Sequence, residues 1–173
     1  NDLRIFYIKN RKQIDVYADL YTSNYLKKSF SYCFNSDTKE YPAILKLNRL
    51  KNSHFVFNKD KKIVLKSIKV KHGTVNSNCF IIDKKLAYIS DVNKIYYKDY
   101  RYFRNLKYLI IDCLRYDFHP SHLNLDAALN LINLFKPKKS ILTNLHTDLD
   151  YNVLKKKLPK KVIPAYDGLS INF

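Results

Sequence analysis

Four residues suited to metal ligation or acid–base work, His72, Asp91, Asp112 and His146, each close a short apolar run of the chain. His72 follows Ile68-Lys69-Val70-Lys71, Asp91 follows Leu86-Ala87-Tyr88-Ile89-Ser90, Asp112 follows Tyr108-Leu109-Ile110-Ile111, and His146 comes soon after Ser140-Ile141-Leu142-Thr143. Strand ends of one sheet lie side by side, and rigid strands hold side chains at a pocket while loops shape it. Imidazole plus carboxylate is the ligand set of hydrolytic zinc, manganese or iron centres. Each residue alone has a duller explanation. His72 would pass for a satisfied structural histidine, Asp91 for a turn former that bonds its own backbone, and Asp112 for a loop orienter. His54, on a Ser-His-Phe strand among lysines, reads as non-functional. The site reading rests on the coincidence of four such ends and on the two glycines of the chain, Gly73 beside His72 and Gly168 in Tyr166-Asp167-Gly168. Glycine is needed where a backbone takes positive φ or approaches a ligand closely.

The elements that must position these residues are legible in part. Ile14 to Tyr17 reads as a strand and Leu20 to Lys28 as a short helix leading into the aromatic segment Phe30 to Phe34. Beyond Pro42, the runs Ile44 to Leu50, His54 to Phe57 and Ile63 to Val70 read as successive strands of a sheet. Ile68 and Val70 share one face, with Lys69 and Lys71 on the other, and His72 is in phase with the apolar face. Cys79 to Ile82 and Leu86 to Ser90 form the next strands, joined by a hairpin turn at Asp83-Lys84-Lys85. A Tyr-rich stretch from Lys94 to Asn105 reads as helical, and Tyr108 to Ile111 as a strand buried on both faces. Leu125, Ala128, Leu129, Ile132 and Phe135 recur at helical spacing, with Asn124 as cap and Pro137 as stop. Ser140 to Thr143 is a strand, Tyr151 to Leu158 a helix, and Val162 to Phe173 strand, turn and strand. This order gives an α/β layered domain, with 1–173 as a single unit.

Composition narrows the class. With 173 residues, 46% of them apolar, the chain has material for a real core. No stretch approaches the roughly 18 uninterrupted apolar residues that span a bilayer, and the start lacks a signal-peptide layout. A soluble, cytoplasmic protein with no membrane partner is expected. Thirty-two Lys plus Arg against fifteen Asp plus Glu give +17, a charge that attracts phosphate-bearing partners. The excess of Lys, Asn, Ile, Tyr and Phe with only two Gly also fits AT-rich coding, so the charge permits anionic substrates without specifying them. Cys33, Cys79 and Cys113 are odd in number and widely spaced, which excludes a disulfide framework and a Cys-x-x-Cys zinc knuckle. No methionine occurs, and the first residues read as the middle of a domain.

Taken in order, His72-Gly73, Leu86-Ala87-Tyr88-Ile89-Ser90-Asp91, Leu109-Ile110-Ile111-Asp112, His119-Pro120-Ser121-His122-Leu123, Leu142-Thr143-Asn144-Leu145-His146-Thr147-Asp148 and Pro164-Ala165-Tyr166-Asp167-Gly168 resemble the C-terminal motifs of metallo-β-lactamase-fold hydrolases in the PhnP-like, cyclic-phosphodiesterase branch. The resemblance runs over nearly the whole chain. It implies the layered αββα metallo-β-lactamase fold, here N-terminally truncated, because the family's His-x-His-x-Asp-His signature would precede Asp2-Leu3-Arg4 and is not in the sequence. It further implies two divalent ions, zinc or manganese, with His72 on one, Asp91 bridging both, and a histidine after Leu142-Thr143 on the other. The family commonly places that histidine directly after the threonine, where Asn144 stands, so His146 is the expected ligand. His122 becomes the acid that protonates the leaving oxygen, while Asp112, His119, Asn144, Asp148, Asp167 and Gly168 orient ligands or line the substrate.

The implied reaction is hydrolysis of a small phosphodiester or nucleotide-like substrate by a hydroxide shared between ions about 3.5 to 4 Å apart. These 173 residues alone are expected to bind metal weakly and to be inactive. A nuclease of the same fold is the nearest alternative. A non-catalytic basic nucleic-acid-binding module is a rival from another class, marked by steep salt dependence without a metal requirement. A nucleic-acid partner and a homodimer stay open.

Overall fold

The computed structural model describes residues 2–36, 41–58 and 61–173, which fall into two compact units, 1–51 and 52–173. In the first, helix α1 (Arg4–Asn10) precedes β1 (Ile14–Ala18), α2 (Leu20–Ser29), the single turn α3 (Ser31–Phe34) and β2 (Leu45–Arg49). β1 and β2 pair in parallel, Ile14 opposite Leu45 and Ala18 opposite Arg49. Asp19 caps α2 by accepting from Thr22 N at 2.9 Å. Among the described residues of this unit, Ala18, Cys33 and Ile44 are the buried apolar ones.

The second unit is built on a seven-stranded sheet of order β3-β4-β5-β6-β7-β8-β9. Its strands are β3 (Ser53–Asn58), β4 (Lys61–His72), β5 (Val75–Ile82), β6 (Leu86–Ile89), β7 (Tyr108–Asp112), β8 (Lys139–Thr143) and β9 (Val162–Pro164). β3 to β6 pair antiparallel, and β6 to β9 pair in parallel. β4, β6, β7, β8 and β9 therefore run the same way, and their C-terminal ends share one edge of the sheet. Two helices, α4 (Leu125–Phe135) and α5 (Tyr151–Lys157), fill the crossovers between the parallel strands β7, β8 and β9. The layered α/β class expected from the sequence is the class observed.

Local chemistry accounts for the element boundaries. At the β5–β6 turn, Asp83 and Lys84 both take positive φ (49° and 55°), and Lys85 N donates to Ile82 O at 2.9 Å. That pattern is a type I′ turn, whose twist matches the flanking strands. Asp83 Oδ1 also accepts from Val64 N at 2.8 Å, tying the turn to β4. α4 begins at Asn124, whose Oδ1 accepts from Ala127 N at 3.0 Å while Nδ2 donates to Tyr116 O at 3.2 Å. Asn124→Ala is therefore expected to cost about 1 to 2 kcal/mol of stability, read from the urea midpoint. The core gathers Val70, Ile89, Leu109, Ile111, Leu142 and Leu154, all under 2% exposed. Among the described residues no helix is long and apolar enough to cross a membrane.

Three expectations need correction. The run Ile44 to Leu50, expected to be a strand of one sheet with His54 to Phe57 and Ile63 to Val70, instead pairs as β2 with β1 in a separate two-stranded sheet. The Tyr-rich stretch is not an α-helix over Lys94 to Asn105 but a 3₁₀-helix over Tyr97–Tyr102. Lys94 is held extended by a bridge to Lys71, and the 3₁₀ repeat stacks aromatics three apart, with Tyr97 and Tyr100 centroids at 5.3 Å. Tyr100 and Phe103 then dock on Phe135 at 5.2 and 5.4 Å. At the C-terminus, β9 stops at Pro164 and residues 170–173 form no strand. Among the described residues β9, at the sheet edge, pairs only with β8, and residues 170–173 pair with no strand.

Candidate metal centre

The shared C-terminal edge of the sheet brings together His72, at the end of β4, Asp91, two residues beyond β6, and His122, in the loop after β7. One ligand atom from each lies within 4.8 Å of the others. His72 Nδ1 lies 2.8 Å from Ser121 O, and a carbonyl only accepts, so Nδ1 carries the proton and Nε2 keeps its lone pair. His122 Nδ1 lies 2.8 Å from Asp112 Oδ2 and donates to it, which frees Nε2 in the same way. Anchoring the distal ring nitrogen on an oxygen fixes tautomer and orientation, as metal-ligating histidines require. The two imidazoles meet edge-on, centroids 4.6 Å apart.

Asp112 is the hub beneath them. It is fully buried; Oδ2 also accepts from Val92 N at 3.1 Å, and Oδ1 accepts from Asn144 Nδ2 at 3.0 Å. A buried carboxylate is tolerable only with such partners. Asp91 sits at φ 53°, a left-handed conformation that Asp adopts more readily than most residues, and its carboxylate is exposed. Ser77 Oγ donates to its carbonyl at 2.6 Å and fixes the loop.

Asn93 locks three loops. Its Oδ1 accepts from Gly73 N at 3.2 Å and its Nδ2 donates to Pro120 O at 2.7 Å. Gly73 takes φ 61°, and a Cβ there would lie 3.0 Å from Ser121 Cβ, against the residue that orients His72. Gly73→Ala is expected to destabilise by about 1 to 3 kcal/mol and to weaken cation binding, as calorimetric titration and thermal melting will show. Sequence reasoning passed over Asn93, Ser121 and Ser77. For Asn93 and Ser121 a polar residue in a strand-end loop was the available signal, and Ser77, inside β5, offered none; nothing local said which ones face each other.

The remaining expected site residues are placed as follows. His119 lies beside His122, centroids 5.2 Å apart, and its Nδ1 accepts from Ser121 N at 3.3 Å. Partial burial, helped by Arg115 and His122, pulls its pKa below the ordinary histidine value, favouring the neutral ring. Asn144, at φ 60°, turns its amide to Asp112. His146 is not in the three-residue group; it is exposed, and its Nδ1 pairs with Asp148 Oδ1 at 3.1 Å. Asp167 is exposed, and Gly168 turns the chain at φ 90° with open space where a Cβ would stand. Cys79 and Cys113 are buried and their thiols are pushed up to about 12 by desolvation, so they take no part in the chemistry.

A family model described as the beta-lactamase superfamily domain matches residues 1–144. The chain belongs to the metallo-β-lactamase superfamily. No curated protein matches the sequence. Among solved structures, a diphosphatase from the PhnP family superposes with TM-score 0.80 at 23% identity, over 94% of this chain and 59% of that one. The short form of human tRNase Z gives 0.63 at 15%, over 94% and 68%. Zn(2+)-bound PqqB from Methylobacterium extorquens gives 0.71 at 9%, over 96% and 67%. At these identities the likeness shows a shared fold, and the chain spans just under three fifths of the PhnP-family diphosphatase. Superfamily members are metal-dependent hydrolases, and two anchored imidazoles with an exposed carboxylate fit a divalent cation in donor type and orientation.

Proposed function

We propose that the chain supplies a metal-dependent hydrolytic site for phosphodiester bonds, with His72 and Asp91 as donors to a zinc or manganese ion and His122 as the acid. The convergence of the three ligand atoms within 4.8 Å, both imidazoles presenting Nε2, carries this reading. A divalent cation there supplies Lewis-acid polarisation and lowers the pKa of water.

The residues do the rest. His122 donates through Nδ1 to the buried carboxylate of Asp112, which holds the ring with Nε2 facing the site, the arrangement of a histidine that serves acid–base catalysis. Asn144 takes the other oxygen of Asp112, so the carboxylate stays fixed toward His122. The net charge of +17 raises the local concentration of phosphate-bearing substrates. A small phosphodiester or nucleotide-like substrate suits this set, in line with the fold shared with a PhnP-family diphosphatase and yeast PDE1.

A second reading makes His122 a third metal donor, and it is favoured by the inclusion of its ligand atom in the same group. The native protein carrying these residues should hydrolyse an aryl phosphodiester such as bis(4-nitrophenyl) phosphate only with added metal. His122→Ala should spare metal content and lower turnover by about 10² to 10⁴. Lost metal in that variant would make His122 a ligand, and metal-independent hydrolysis would end the proposal.

A further inference from the structure

At the opposite end of the parallel strands, around the last turn of α4, two hollows of about 760 and 640 Å³ share Asn130, Asn133 and Lys136. Each is the size of a small-molecule site. The first is half polar and half apolar, with Arg104, Asn105, Leu134 and Phe135 completing its wall. The second has an apolar lining of Leu129, Ile132, Pro137, Pro159 and Val162, with Lys160 and Lys161 beside it. No acidic residue lines either hollow. Among the described residues, none of Arg104, Lys136, Lys160 and Lys161 has a carboxylate partner. Ser140, 1% exposed, also lines the second hollow, and its hydroxyl is buried without a hydrogen-bond partner.

We infer that this two-lobed cleft is a binding site for a mononucleotide, distinct from the His72–Asp91–His122 group. Four cations gathered around one cleft with no acidic residue in its lining favour a ligand with several negative charges. The C-terminal end of α4 opposes an anion with only about half a charge, so the cations prevail. The apolar lobe takes a flat body, and the Asn105, Asn130 and Asn133 amides offer paired donors and acceptors that match the edge of a base. Free phosphate uses only the cations, and a fatty acid leaves the amides idle.

Calorimetric titration of the 173-residue chain with ADP at low salt tests this. The expected result is saturable one-to-one binding with a Kd below about 1 mM, at least ten-fold weaker for adenosine and for inorganic phosphate. Lys136→Glu with Lys161→Glu should raise the ADP Kd at least ten-fold, and Asn133→Asp about three-fold. All three side chains are exposed, and circular dichroism of each variant checks the fold. Amide shifts on ADP addition should fall at Leu129, Asn130 and Asn133, and His72→Ala should bind ADP as the parent does. No saturable binding, equal ADP binding by the charge-reversed variant, loss of binding in His72→Ala, or binding of a single-stranded oligonucleotide without ADP binding would each overturn the assignment.

Discussion

Asp112→Ala should cost about 1 to 3 kcal/mol of stability or more, the range for leaving a buried hydrogen-bond donor without its acceptor. The carboxylate is 0% exposed and serves three donors, His122 Nδ1, Val92 N and Asn144 Nδ2. Its removal leaves the buried Val92 N–H without an acceptor, unpairs the part-buried His122 and Asn144 groups, and opens a cavity at the end of β7. The loss will show as a lower urea midpoint with an unchanged slope. It will also free the His122 ring to turn, so its Nε2 resonance should broaden. Asp112→Asn retains shape and one acceptor oxygen and should fall between wild type and alanine. A wild-type midpoint for the alanine variant would show that the three donors find other partners, and the account of Asp112 as hub would fail.

The second large effect concerns Asp91. It is the anionic member of the three-residue group, and asparagine tolerates the left-handed backbone found there, so Asp91→Asn removes the charge without refolding the loop. Loss of a mere outer-shell partner weakens metal binding by about 10- to 100-fold. Loss of a direct donor should exceed that, with manganese or zinc affinity falling by more than about 100-fold and hydrolysis falling with it. The same titration reads stoichiometry. With His72 and Asp91 as donors and His122 as the acid, the described residues at this edge suit at most one ion, so the 173-residue chain should take up no more than one ion tightly. Tight uptake of two ions, or full affinity in Asp91→Asn, would refute the ligand assignment.

Much of the fold was legible because its signals are local. The Asn124 cap, the apolar repeat from Leu125 to Phe135 and the stop at Pro137 define α4 within one window of sequence, and the helix spans Leu125–Phe135. The alternation at Ile68 and Val70 placed His72 in phase with the buried face, and the structure buries both leading residues. The Tyr97–Tyr102 segment misled because Tyr100 answers to Phe135, more than thirty residues later, rather than to helix propensity.

The site divides along the same line. Sequence by itself determined that His72, Asp91 and Asp112 close apolar strands, because a strand end is marked by its own residues. Only the tertiary structure decided which loops meet there. On paper His146 is the expected ligand and Asn144 an orienting residue; in the structure Asn144, at positive φ, aims its amide at Asp112, while the His146 backbone bonds Leu114 and its ring turns to Asp148. His122 enters the group because the β7 exit loop is pinned to Gly73 through Asn93. Such choices depend on hydrogen bonds between residues 20 to 50 positions apart, and no local pattern encodes those.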